Sequence, residues 1–164
     1  MASGDTLAIF GPQANQPPTS SYATLNLRNG HVVLEFDTAT QETAIFASKM
    51  PRHYGGGNVV VYVSWMAATA TAGTIGWGVT FERDANAGDD MDVDSWATEQ
   101  IVTAGTVPAS SGVISVTNLT ITAGATGTDS IAAGDDYRVR IRRDVATDTA
   151  AGDAQLLSVE LKEA

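Results

Sequence analysis

Residues 58–83 read NVVVYVSWMAATATAGTIGWGVTFER: an apolar run, a run of small residues and a second apolar run. Val59, Val61, Val63 and Trp65 fall on alternate positions of the first run, and Trp77, Val79 and Phe81 on alternate positions of the second. A period of two in β-branched and aromatic residues marks half-buried strands rather than helices. An antiparallel register that sets Trp65 against Trp77, Val63 against Val79 and Val61 against Phe81 gathers the large side chains on one face. A slip of one residue would turn that face to solvent, so the pattern predicts this hairpin at the centre of the fold. Gly76 and Gly78 share its other face, which predicts a flat exterior open to a backbone, an aromatic ring or a neighbouring subunit.

Upstream, Tyr22 to Phe36 reads as a second hairpin. Asn29-Gly30 suits a type I′ turn, whose two central residues need positive φ. Pairing about that turn sets Leu27 against Val32, Leu25 against Leu34 and Ala23 against Phe36. A strand from about Thr43 ends at Met50-Pro51. Downstream, strands are expected near residues 99–104, 112–122, 136–143 and 154–161. The second of these shifts its apolar phase near Thr117-Asn118, which predicts a bulge. The last carries Leu157, Val159 and Leu161 inward. About nine or ten short strands with turns between them and no helix predict a jelly-roll-like antiparallel β-sandwich, with an immunoglobulin-like one as the alternative. Residues 22–164 form this single domain. Residues 1–21 read as an extended N-terminal arm rather than a strand of the sheet, because Pro12, Pro17 and Pro18 remove backbone donors; a frayed terminus is the plainer alternative. Leu7, Ile9 and Phe10 are its candidate anchors on a neighbouring subunit or partner.

The composition narrows the function. Nine basic residues stand against nineteen acidic ones, a net charge of −10 in 164 residues. Such a field repels polyanions, so neither nucleic acid nor an anionic membrane is expected as a partner. With no cysteine, disulfides and thiolate metal sites are excluded. The N-terminus lacks a signal-peptide pattern, and no run is long enough to span a membrane, so a soluble protein made in a cytoplasm is expected.

Several motifs invite chemistry. Asp90, Asp92 and Asp94 have the spacing that opens a calcium loop, but Ser95 and Ile101 stand where that loop needs Gly and Glu. Gly55–Gly57 precede a strand, with no Lys-Ser or Lys-Thr after them, which argues for a turn over a phosphate cradle. Arg138, Arg140 and Arg142 alternate along one strand, so three guanidinium groups lie side by side. They need facing acids, and carboxylates of a symmetry-related subunit are one source. His31 and His53 are the only histidines, and no nucleophile or metalloprotease motif accompanies them. Glu35 and Glu82 illustrate a glycosidase-type acid pair that nineteen acids make easy to draw. Trp65, Trp77 and Trp96 could stack on sugars, but the first two belong to the core face. Neither an enzyme nor a cofactor is expected.

The order AIFASKMPRHYGGG, VVVYVSW, GWGVTFER, DSIAAGDDYRVRIRRD and GDAQLLSVEL resembles the short β-sandwich virion proteins of tailed bacteriophages, among them trimeric capsid decoration (cement) proteins. That resemblance implies a jelly roll, a homotrimer on the outer capsid surface of a virion, and binding to the major capsid protein that stabilises the head. It also implies that the arm, residues 1–21, touches the shell. The alternative, from a different class, is a receptor- or carbohydrate-binding head domain of a phage tail fibre.

Overall fold

The computed structural model describes residues 4–85 and 87–164; the first three residues of the segment read as an arm, and Asn86 of the acidic loop, lie outside the described residues. The alternating runs form ten strands: β1 (Thr6–Phe10), β2 (Thr24–Arg28), β3 (His31–Phe36), β4 (Thr43–Lys49), β5 (Val59–Ala67), β6 (Thr74–Asp84), β7 (Gln100–Thr106), β8 (Ser115–Ile121), β9 (Asp136–Arg143) and β10 (Ala154–Glu163). One sheet runs β2-β3-β10-β5-β8, with β1 also paired to β10, and the other runs β4-β9-β6-β7. All these pairings are antiparallel. From β3 to β10 the chain passes back and forth between the sheets in two Greek keys, the winding of a jelly roll. The protein is an all-β antiparallel sandwich of that type.

The hairpin β2–β3 has the register read from its turn, with Leu25 opposite Leu34 and Leu27 opposite Val32. Asn29 and Gly30 take φ of 47° and 81°, as the turn type requires. Its inner face divides, however. Leu34 and Phe36 are buried, while Leu25 and Leu27 are 57% and 66% exposed, because β2 is the outermost strand of the wider sheet.

The central stretch folds differently from its reading. Its two runs are β5 and β6, which lie in different sheets: β5 pairs with β10 and β8, and β6 with β9 and β7. Trp65 and Trp77 are both fully buried, but they face inward from opposite layers. Two indoles can fill a gap of about 10 Å between sheets more readily than they can sit about 5 Å apart on one face. Phe36 packs edge-on against Trp77 across the gap, with ring centroids 5.1 Å apart. Phe10 stacks on Phe46 at 5.3 Å. Trp65 reaches over to β7, where a Cβ on Gly105 would lie 2.7 Å from its ring. Alternation therefore identified the inward faces correctly and the partner strands incorrectly.

Three further expectations are corrected. Strand β8 pairs residue by residue with β5 from Trp65↔Ser115 to Val59↔Ile121 without a bulge; the phase of Leu119 and Ile121 prevails, and Ile114 and Val116 stay exposed. The irregularity falls in β10, between Leu156 and Ser158, so Leu156 enters the core in place of Leu157. The N-terminal segment is not a free arm. Strand β1 pairs with β10 at Phe10↔Val159 and Ile9↔Glu160, taking the length of that edge which β3 leaves open. Leu7 and Phe10 are buried in the chain's own core, and only Ile9 of the three anchors is exposed. Beyond a short 3-10 turn at Pro12–Ala14, Asn15 Oδ1 accepts the Ile45 N–H at 3.0 Å. The Gln16 N–H donates to the Ile45 carbonyl at 2.7 Å, which fastens the segment along β4.

Candidate functional site

Alternation along β9 puts Arg138, Arg140 and Arg142 on the outer face of the four-stranded sheet, as read. For Arg138 and Arg142 the acids come from the same chain, so for these two the expectation of carboxylates from a second subunit is corrected. Arg138 lies opposite Glu82 on β6 and binds its buried carboxylate and, at 2.7 Å, that of Asp94. Arg142 grips Glu99 with two nitrogens and Asp144 at 3.1 Å. Gly78 makes this possible, since a Cβ there would lie 2.7 Å from Glu99 Oε1. Gly76 likewise makes room for Thr147. The flat exterior expected at these glycines is thus filled from within, and both residues are buried.

Arg140 differs from its neighbours. Its cross-strand partners are Ile45 and Thr80, neither of them acidic. Its hydrogen bond to Thr80 Oγ1 is long, at 3.4 Å, and its Nε is buried without a partner. Among the described residues no carboxylate lies within salt-bridge distance of it.

The indole of Trp96 spreads over this row, its centroid 4.8 Å from Arg138 Cζ and 4.7 Å from Arg140 Cζ. Desolvated guanidinium groups against an aromatic face attract its quadrupole, so the loop between β6 and β7 is held down at this point. Asp94 reinforces the contact: its hydrogen bond with Arg138 holds its carboxyl below the ordinary value. Glu82 accepts the Ser95 N–H as well. The fastened segment Gln16–Ser21 forms the opposite bank, and Thr43, Ile45, Arg138 and Arg140 form the floor. The result is an open groove of about 540 Å³, within the usual range for small-ligand sites. Its walls combine a half-buried indole, two arginines and hydroxyl side chains. Such a surface can stack on the apolar face of a ring and hydrogen-bond to groups at its edge.

A larger depression of about 940 Å³ lies at the end of the same sheet, lined by Asp84, Asp89 and Asp136 together with Lys49 and Arg52. Asp84 and Asp136 oppose each other across β6 and β9. Asp129 nearby is raised above its ordinary value by burial and by the charges of Asp89 and Asp84. No group of acidic or histidine side chains suited to a metal occurs among the described residues. The D-x-D-x-D run folds as a turn, with Asp90 Oδ1 accepting the Asp92 N–H at 3.0 Å and Asp94 turned to Arg138. At Gly55 the backbone N–H is bound by Glu163 at 3.0 Å, so a carboxylate occupies what a phosphate would need. Glu35 and Glu82 sit in strands of opposite sheets, on outer faces; the sandwich separates them, and they cannot flank one bond.

Sequence reading singled out the arginine row, and Trp96 as the tryptophan outside the alternating runs. It did not connect the two, nor did it give the proline segment a wall to form. No spacing rule links residues 16–21, 94–96 and 138–140; only the sheet brings them together.

No known protein-family profile matches the sequence, and no curated protein does. Similar solved structures are β-sandwiches. One is the CBM22-1–GH10 modules of the N-terminal endo-1,4-β-D-xylanase 10B of Clostridium thermocellum, complexed with xylohexaose: 13% identical, covering 100% of this chain and 29% of that one, TM-score 0.49. The chain thus spans less than a third of that protein. Another is the CBM22-2 xylan-binding domain of Paenibacillus barcinonensis Xyn10C, 11% identical over 95% of this chain and 91% of that one, TM-score 0.44. A third, TmCBM61 in complex with β-1,4-galactotriose, is 10% identical over 96% and 88%, TM-score 0.36.

Proposed function

We propose that the protein is a non-catalytic carbohydrate-binding sandwich that takes a glycan in the groove on the outer face of β4 and β9. The observation that supports this is Trp96, a large aromatic ring kept at the surface by two guanidinium groups rather than buried. Placing an indole in a groove beside arginines and hydroxyls prepays the ordering of the site, which favours binding of a ring with polar edges. Titration of the full chain with a glycan panel, including xylohexaose and β-1,4-galactotriose, tests the reading. Binding that Trp96→Ala weakens at least tenfold supports it. Binding that is unaffected by this change, or absent across the panel, counts against it.

A second reading, decoration of a phage capsid as a homotrimer bound to the major capsid protein, draws on a separate feature. Leu25 and Leu27 stand exposed on the edge strand β2, and covering such an apolar edge is a common use of assembly. Sedimentation at high concentration decides it: trimers that Leu27→Lys dissociates support it, and a monomer without affinity for capsids removes it.

A further inference from the structure

Arg140 is the one member of the arginine row with no carboxylate within salt-bridge distance among the described residues, and it lies on the floor of the groove. Glu82 and Asp94 satisfy Arg138, and Glu99 and Asp144 satisfy Arg142. Arg140 has a long contact to Thr80 and an Nε removed from water without an acceptor. A buried donor on a charged group is costly to leave unpaired. Acids are plentiful in a chain of net charge −10, yet positions 45 and 80, which flank Arg140 across the sheet, carry isoleucine and threonine. Asp94, the acidic residue that lines the groove, is held by Arg138 at 2.7 Å.

We infer that Arg140 receives the carboxylate of an acidic sugar, so that the groove prefers uronate-type glycans over neutral ones. This rests on the glycan reading above and specifies its ligand. A guanidinium presents a planar fork that matches a carboxylate with two parallel hydrogen bonds. Trp96 and Arg140 share the groove, 4.7 Å from ring centroid to Cζ, so one saccharide chain can lie against the indole while a substituent meets the guanidinium. The overall negative field works against any anion at long range. A carboxylate therefore binds here through a short-range, desolvated pairing, and its affinity survives moderate salt.

The test uses the full chain and matched ligands: oligogalacturonate and glucuronoxylan oligosaccharides, each beside its carboxyl-reduced, neutral counterpart, and one sulfated oligosaccharide. The inference expects the acidic form of at least one pair to bind tenfold or more tighter than its reduced form. Arg140→Gln is expected to erase that difference, so that the acidic and reduced members of each pair bind alike, and Arg140→Lys to restore only part of it. Equal affinity for both members of every pair, with both weakened by Trp96→Ala, overturns the carboxylate preference and leaves the glycan site standing. Sulfated and carboxylated ligands bound equally well, both through Arg140, would show a general anion site and also overturn it. Absence of binding in every arm overturns this inference and the glycan reading together.

Discussion

Replacing Arg143 by methionine tests how the two sheets are joined. Alternation along β9 turns Arg143 to the opposite side from Arg138, Arg140 and Arg142, and the side chain is wholly buried. Its Nη1 donates to the carbonyls of Phe36 at 3.1 Å and Gly152 at 2.9 Å, its Nη2 to that of Ala150 at 3.4 Å, and its Nε to Asp148. One side chain thus ties the end of β3 to the end of β9 and to the loop that leads into β10. The Asp148 side chain is only 4% exposed, so methionine would leave a buried carboxylate without its counter-charge and take a donor away from three carbonyls. Breaking such a pair costs about 3–5 kcal/mol, a large share of the roughly 5–15 kcal/mol that holds a domain folded. At about 2–4 °C per kcal/mol for a chain of this size, the melting temperature should fall by roughly 6–20 °C. Urea denaturation, with the slope checked for constancy, measures the loss directly. Asp148→Asn keeps an acceptor at Arg143 and should cost less, about 1–3 kcal/mol. The double variant Arg143→Met/Asp148→Leu removes both charges and should recover part of the single-variant loss. Arg143→Met within about 1 kcal/mol of the parent, or a double variant no better than the single one, would refute the reasoning.

Other consequences follow from the same outer face. Gly78→Ala drives a Cβ to within 2.7 Å of Glu99 Oε1 and 3.1 Å of Arg142 Cγ, so it should part that ion pair and cost about 1–3 kcal/mol in a thermal or urea melt; an unchanged midpoint contradicts it. Burial alone would raise the Asp144 carboxyl, but hydrogen bonds from Thr147 and Arg142 outweigh it and leave the group below 3.8. Asp94 is lowered chiefly by its hydrogen bond to Arg138. A depressed carboxyl stabilises the fold above its unfolded pKa, and that contribution is lost as pH falls through the folded one. Stability should therefore decline as pH drops below about 4, and Asp144→Asn should flatten the decline in acid titrations followed by circular dichroism. Glu42 and Asp129, both raised chiefly by burial, act in the opposite sense, and their replacement by amides should steepen it.

Much of this architecture was readable from alternation alone. The inward sets Val59, Val61, Val63, Trp65 and Trp77, Val79, Phe81 are the core, and Asn29-Gly30 fixed its hairpin to the residue. The partners of β5 and β6, which no such turn signal joins, were not readable, because the period of two states which face is buried and not which neighbour supplies the hydrogen bonds. Residues 68–73 look like a hairpin loop but cross from sheet to sheet, and a jelly roll makes most such crossings. The proline segment was misassigned for a related reason. Prolines argue against a central strand, yet β1 ends before the first of them, and an edge left free by β3 gave Leu7 and Phe10 a place in the core. Arg143 escaped notice as a buried residue because alternation sent it inward while its charge suggested the surface. The groove was legible only in fragments, as a row of arginines, an isolated tryptophan and a stretch of prolines from three distant parts of the chain.

The indole N–H signals offer the most direct view of the groove. The chain has three tryptophans; Trp65 and Trp77 are sealed in the core and Trp96 is half-buried, so two of the three resonances act as internal references. On titration with an acidic oligosaccharide the Trp96 signal should move, while those of Trp65 and Trp77 stay fixed. A Trp96 signal that stays fixed as well, or perturbations centred on the exposed edge of β2 instead, would contradict a glycan site on this face.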